Sequence, residues 1–291
     1  MLNALYYWIG VVNKTKSLLA LNEILNPQQH PVQLQVVKAM DFFFNPEIAN
    51  RRQDVNGFWG PSDALHQFCE PHYAFTFFLA EFFNSTSSLA YTAAAIYGAL
   101  TSPGFDAAVQ AEWAILAIIG LGSAAFHGTM LFKYELWDEL PMMGLVFISS
   151  IARSAVHPWL KTPATRLLFC VVVCCAHLAT AVSYVMFMEY EIFMNGFTAL
   201  LLLDVAMSFT WGECSRETRS SSIKTVFLLL GGKVVWEVEN RLCASFPSVW
   251  PLHVAWHFLS CGGAYYSVRA TALRRSECGL GGPPGRNRKV E

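Results

Sequence analysis

The chain has 291 residues, 54% hydrophobic and only 14% charged, with a formal net charge of −1 at pH 7; its mean hydropathy is +0.36. Soluble domains carry about 25% charged residues, so this deficit selects a polytopic membrane protein. The near-zero charge, with no basic groove motif, excludes an electrostatic nucleic-acid binder.

Residues 1–56 stand apart. Leu5 to Val12 is apolar but too short to span a bilayer, and no small-residue cleavage site follows it. This N-terminal extension is expected to be interfacial or poorly ordered. Downstream, seven apolar stretches fall at roughly 74–100, 112–131, 138–155, 166–188, 191–211, 222–239 and 252–272, each approaching the ~20 residues of a crossing helix. No longer period repeats, which excludes a solenoid. Residues 57–272 are therefore expected to form one all-α domain, a seven-transmembrane helix bundle. Residues 273–291 hold Gly-Gly-Pro-Pro-Gly and read as a disordered tail.

Loop charge orients the bundle. The side shared with the C-terminus carries Arg153, Lys161, Arg166, Arg216, Arg219, Lys224, Arg269, Arg274 and Arg275. The other side offers Lys133 and Arg241 among Glu135, Glu139, Glu189 and Glu191. The positive-inside rule then makes the C-terminus cytosolic and the N-terminus lumenal.

Several polar residues lie inside or against these apolar stretches, where they are costly and mark function. Ser123-Ala-Ala-Phe-His127 precedes Asp138 by eleven residues from the histidine, and His253-Val-Ala-Trp-His257 lies far downstream. Spacing of four puts each pair on one helix face. In the charge-derived topology His127 ends an outward helix, while Asp138, His253 and His257 begin inward ones, so all four share a depth near the outer leaflet. Three imidazoles hold Zn²⁺ with a fourth position open for water, as in catalytic sites. Such water has a pKa near about 7. Asp138 is then a proton acceptor or an orienting partner of a ligand. Ser123 is either an oxyanion donor or a serine bonded within its own helix. His66, His72, His157 and His177 lack this arrangement, and His157, before Pro158, reads as a surface residue.

At these residues the chain resembles the alkaline ceramidase family. The match runs through Gly57-Phe-Trp-Gly-Pro61, Cys69-Glu70, Tyr73 and Ala80-Glu81-Phe82, then Gly122-Ser123-Ala-Ala-Phe-His127, Lys133-Tyr-Glu135 and Asp138-Glu-Leu-Pro141. It ends with Trp236, Asn240, Cys243 and His253-Val-Ala-Trp-His257. The resemblance implies an intramembrane amidase that hydrolyses the N-acyl bond of ceramides to a sphingoid base and a fatty acid. Zn²⁺ would sit on His127, His253 and His257, with Asp138 and Ser123 assisting, in a membrane of the endoplasmic reticulum or Golgi. Ceramide as substrate comes from the resemblance alone.

The family is also similar in having a Ca²⁺ site, at positions that here are Gln67, the Phe68 carbonyl, Glu70, His72 and Glu81. Aspartate and asparagine stand in the family where this chain has Gln67 and His72. Calcium prefers hard oxygen ligands, so a weakened site is expected. Cys69 and Cys243 both fall in segments read as lumenal, where disulfides persist, and the resemblance points to the same pair. The other readings are a seven-helix receptor with a structural metal, resembling the adiponectin receptors, and a related hydrolase acting on another lipid. Inverted repeats and broken helices, the marks of a transporter, are absent.

Overall fold

The computed structural model describes residues 57–102 and 106–280. The expectations for residues 1–56 and for the tail beyond 280 lie outside the described residues. Seven α-helices form the described fold: α1 Phe82–Thr101, α2 Ala107–Thr129, α3 Phe132–Ser154, α4 Pro163–Phe187, α5 Tyr190–Phe209, α6 Arg216–Leu242 and α7 Pro251–Glu277. A short 3₁₀ turn, Pro247–Val249, precedes α7.

Local chemistry sets most helix ends. The Asp106 side chain accepts from the Ala108 amide to start α2. Thr162 and Thr165 form a reciprocal capping box before α4, with Pro163 in its first turn, and Ser215 caps α6 through the Thr218 amide. Met130 and Met188 take left-handed conformations that stop α2 and α4. α1 begins differently. Its N-cap, Glu81, makes no side-chain cap bond; Glu70, from the preceding loop, accepts the Phe83 and Asn84 amides at 2.8 Å each. The cap is supplied from outside the helix, which satisfies the orphan N–H groups of the first turn.

The sequence places polarity inward and apolarity outward. Leu100, Leu167, Leu168, Met186, Leu202 and Phe227 are exposed, whereas Glu81, Glu112, Glu135, Arg153, Asp204, His127, His253 and His257 are buried. A water-soluble bundle has the opposite arrangement; this one is built for lipid. α2, α4 and α5 are long and apolar enough to cross a membrane. α1, α3, α6 and α7 carry inward-facing Ser, Thr, Glu and His that lower their mean hydropathy. The fold is that of an all-α membrane protein.

α7 packs on α6 and on α1, and touches α2 and α3; α4 and α5 pack on the far side of α3. Tyr91, Trp113, Leu116, Ile119, Leu145, Cys261 and Val268 fill the space between α1, α2, α3 and α7. Met143, Val146, Tyr184, Phe193 and Leu200 fill that between α3, α4 and α5.

Three expectations change. The apolar stretch drawn from 74 starts its helix only at Phe82. Residues 74–81 run as a loop whose end is tied to α2, the Ala80 and Glu81 amides donating to the Gly128 and His127 carbonyls at 2.9 Å each. Hydropathy cannot distinguish a loop pinned in this way from helix. α7 continues through Glu277, past residue 272, because Arg274 and Arg275 find partners there: Trp211 and Glu213 carbonyls for the first, Asp106 for the second. His157 is buried, its Nε2 2.9 Å from Thr210 Oγ1, so it is no surface residue.

Candidate metal centre

The centre lies where the ends of α2 and α6 meet the beginnings of α1, α3 and α7. His127 comes from the last turn of α2, and His253 and His257 from consecutive turns of α7. All three are buried, with ligand-capable nitrogens within 4.8 Å of one another. Among the described residues this is the one such group of three or more His, Cys, Asp or Glu side chains.

Each imidazole is held by its Nδ1. His127 Nδ1 lies 2.6 Å from Glu81 Oε2, His253 Nδ1 2.9 Å from Glu239 Oε2, and His257 Nδ1 2.8 Å from Ser87 Oγ. A carboxylate only accepts, so His127 and His253 carry their proton on Nδ1 and keep a lone pair on Nε2. Carboxylate–imidazole pairing of this kind orients and strengthens metal-binding histidines.

Those partners are themselves fixed. Glu239 Oε1 accepts the Cys69 amide at 3.1 Å, and Cys69 is joined by a disulfide to Cys243, at the end of α6. The Phe68 ring lies over the histidines, 4.1 Å from His253 and 4.8 Å from His127 between ring centroids. His66 stacks on Tyr190 at 4.4 Å; burial pushes its pKa down to about 4. The loop before α1 thus forms a strap over the site, tied down again where Leu65 and His66 amides donate to Glu135.

Asp138 has Ser123 as a hydrogen-bond partner and lies near His127, and Ser88 Oγ donates to Ser123 Oγ at 3.0 Å. Ser87, Ser88 and Glu239 escaped the sequence reading. A signal existed for Glu239, four residues before Cys243 and so on the same face of α6. For the two serines, within Asn-Ser-Thr-Ser-Ser, nothing local separates them from helix-packing hydroxyls.

The sequence model of the ceramidase family matches residues 60–279. This chain belongs to the ceramidase family. It is similar to mouse alkaline ceramidase 3, 28% identical with 77% of this chain and 88% of that one covered. A putative alkaline ceramidase of Dictyostelium discoideum is 26% identical, covering 73% and 87%. An alkaline ceramidase of Arabidopsis thaliana is 22% identical, covering 72% and 84%.

Two ions follow from the ceramidase resemblance, and the residues can be tested against each. Three neutral imidazoles with their Nδ1 atoms occupied fit Zn²⁺. The set read as calcium-binding fits poorly. Both Glu70 oxygens are taken by the start of α1, and Glu81 Oε2 is taken by His127 and Asn84. Gln67 is neutral, its amide nitrogen donating to Ser62 Oγ and the Ala64 carbonyl, which leaves its own Oε1 and Glu81 Oε1 as the buried side-chain oxygens of the set without a hydrogen-bond partner. His72 presents a nitrogen to Glu81 Oε1 at 3.4 Å. Calcium sites need several oxygen ligands with ample negative charge.

Proposed function

We propose that this chain is a zinc-dependent intramembrane amidase that hydrolyses the N-acyl bond of ceramides, giving a sphingoid base and a free fatty acid. The observation that carries the reading is the buried histidine trio, with a fixed partner on every Nδ1 and ligand-capable nitrogens within 4.8 Å of one another. Ceramide itself comes from the names of the relatives.

Bound there, zinc would supply a Lewis acid and lower the pKa of a water to about 7. His127, His253 and His257 hold the ion, and Glu81, Glu239 and Ser87 set the angle of each ring. Asp138 accepts the proton of the attacking water on its carboxylate and delivers it to the departing amine nitrogen. Ser123, between Ser88 and Asp138, holds the carboxylate in register and offers a hydroxyl to the oxyanion. Phe68 and the strap keep bulk water off the reacting carbonyl.

The site lies at the end of the bundle that carries the Cys69–Cys243 bridge. Disulfides persist in oxidising compartments, which supports a lumenal site, a lumenal N-terminus and a cytosolic C-terminus. Protection of residues 57–81 from protease in sealed microsomes checks this, and their cleavage in intact vesicles would reverse it.

The central test is metal analysis and ceramide hydrolysis by purified protein. One zinc per chain is expected, with turnover abolished in His127→Ala, His253→Ala and His257→Ala. Full activity of a metal-free preparation, or of any of these variants, would reject the proposal.

A further inference from the structure

Glu81 has no exposed surface. His127 Nδ1 stands 2.6 Å from Oε2, and the Asn84 amide nitrogen donates to the same oxygen at 3.0 Å. His72 Nε2 stands 3.4 Å from Oε1. This last contact is long for a hydrogen bond, yet neither His72 Nε2 nor Glu81 Oε1 has a closer polar partner. His72 is 3% exposed, so its ring meets Glu81 away from bulk solvent.

We propose that His72 is a positioning residue standing where a cation would otherwise be needed. It braces Glu81, and through Glu81 the His127 imidazole, so this chain holds its metal-binding histidines without calcium. The proposal rests on the reading of His127 as a metal ligand.

Three observations lead there. The Glu70 carboxylate is engaged by two helix amides, and turning it toward an ion would uncap α1. Gln67 brings no charge, and its buried Oε1, which has no hydrogen-bond partner, offers a neutral oxygen where a carboxylate would be needed. Glu70, His72 and Glu81 do not draw their ligand atoms together as the histidine trio does. A hard dication loses a carboxylate and meets a nitrogen here. An imidazole N–H facing the free oxygen of Glu81 does the same orienting work from within the chain.

The experiment uses full-length protein purified in detergent without added calcium, and reads binding and metal retention before any substrate is added. Equilibrium dialysis with radioactive calcium should show no saturable uptake by the wild type, and millimolar calcium should leave its unfolding midpoint unmoved. His72→Ala, with helical content intact, should bind zinc about tenfold more weakly, the lower end of the effect of losing a ligand-orienting partner. His72→Gln, which retains an N–H donor, should recover most of that loss. In Gln67→Asp/His72→Asn, calcium should bind and zinc retention should become calcium-dependent, a coupling that packing alone would not produce. Saturable calcium uptake by the wild type overturns the proposal. So do a second equivalent of zinc, or His72→Ala retaining zinc as tightly as the wild type. Wild type that holds one zinc but leaves ceramide intact would overturn the functional reading alone.

Discussion

At the scale of single residues, the proposed mechanism separates groups that would hold the metal from one that would move a proton, and substitutions distinguish them. Asp138 is not among the three clustered side chains. Asp138→Asn should keep its zinc and lose on the order of 10²–10⁴ in rate, the range for removing a general acid–base. Zinc loss together with activity would instead make Asp138 an orienting partner. Glu239 is the converse case, since it touches His253 and not the reacting atoms. Glu239→Gln should weaken zinc binding about 10–100-fold, measured by competition with a chromogenic chelator. Unchanged affinity would show that His253 needs no carboxylate behind it. The histidines were legible from their spacing of four and their apolar surroundings. Their partners were not, because an orienting group is defined by a contact across helices: Ser87 and His257 are 170 residues apart.

Among the elements, the approach of α2 to α3 decides whether the site exists. Pro141 lies inside α3 and has no N–H, so the Trp137 carbonyl one turn back lacks its usual helical partner. Gly122 on α2 rests against that same carbonyl, and any Cβ there would collide with the backbone of Trp137 and Asp138. A small residue at such a contact lets two helix backbones approach closely, bringing Ser123 and Asp138 together. Gly122→Val should push α3 outward and remove most activity, with a lower unfolding midpoint, while the histidines on α2 and α7 still take up zinc. Wild-type turnover in this variant would show that the close approach is dispensable. The strap before α1 is the other deciding element. Its apolar run resembled the start of a membrane helix, and only its hydrogen bonds to α2 and α3 make it a cover.

Over the whole molecule, polarity is gathered at the two ends of the bundle. Opposite the histidines, Arg153 places all five of its N–H donors: Nε on Thr271, one terminal nitrogen on the Asp204 carbonyl and carboxylate, the other on the Ser267 carbonyl and hydroxyl. Arg153 and Asp204 are both buried, and removing one partner of such a pair leaves an uncompensated charge. Arg153→Met should therefore destabilise the fold by about 3–5 kcal/mol, seen as a fall in unfolding midpoint. Zinc per folded molecule should not change, because the pair lies at the other end of α3. Concurrent loss of zinc would mean that the two ends are coupled.

Composition and periodicity by themselves determined the all-α membrane class, the number of long helices and the three histidines that cluster. These follow from local rules: a low charge content, apolar stretches of bilayer length, and imidazoles four apart on one face. Tertiary structure alone decided the rest. It turned Glu81 toward His127, set Glu239 behind His253, engaged Glu70 at the start of α1, and buried His157. A carboxylate at membrane depth must find some partner, but which partner depends on the helix ends brought together in space, and sequence distance carries no record of that.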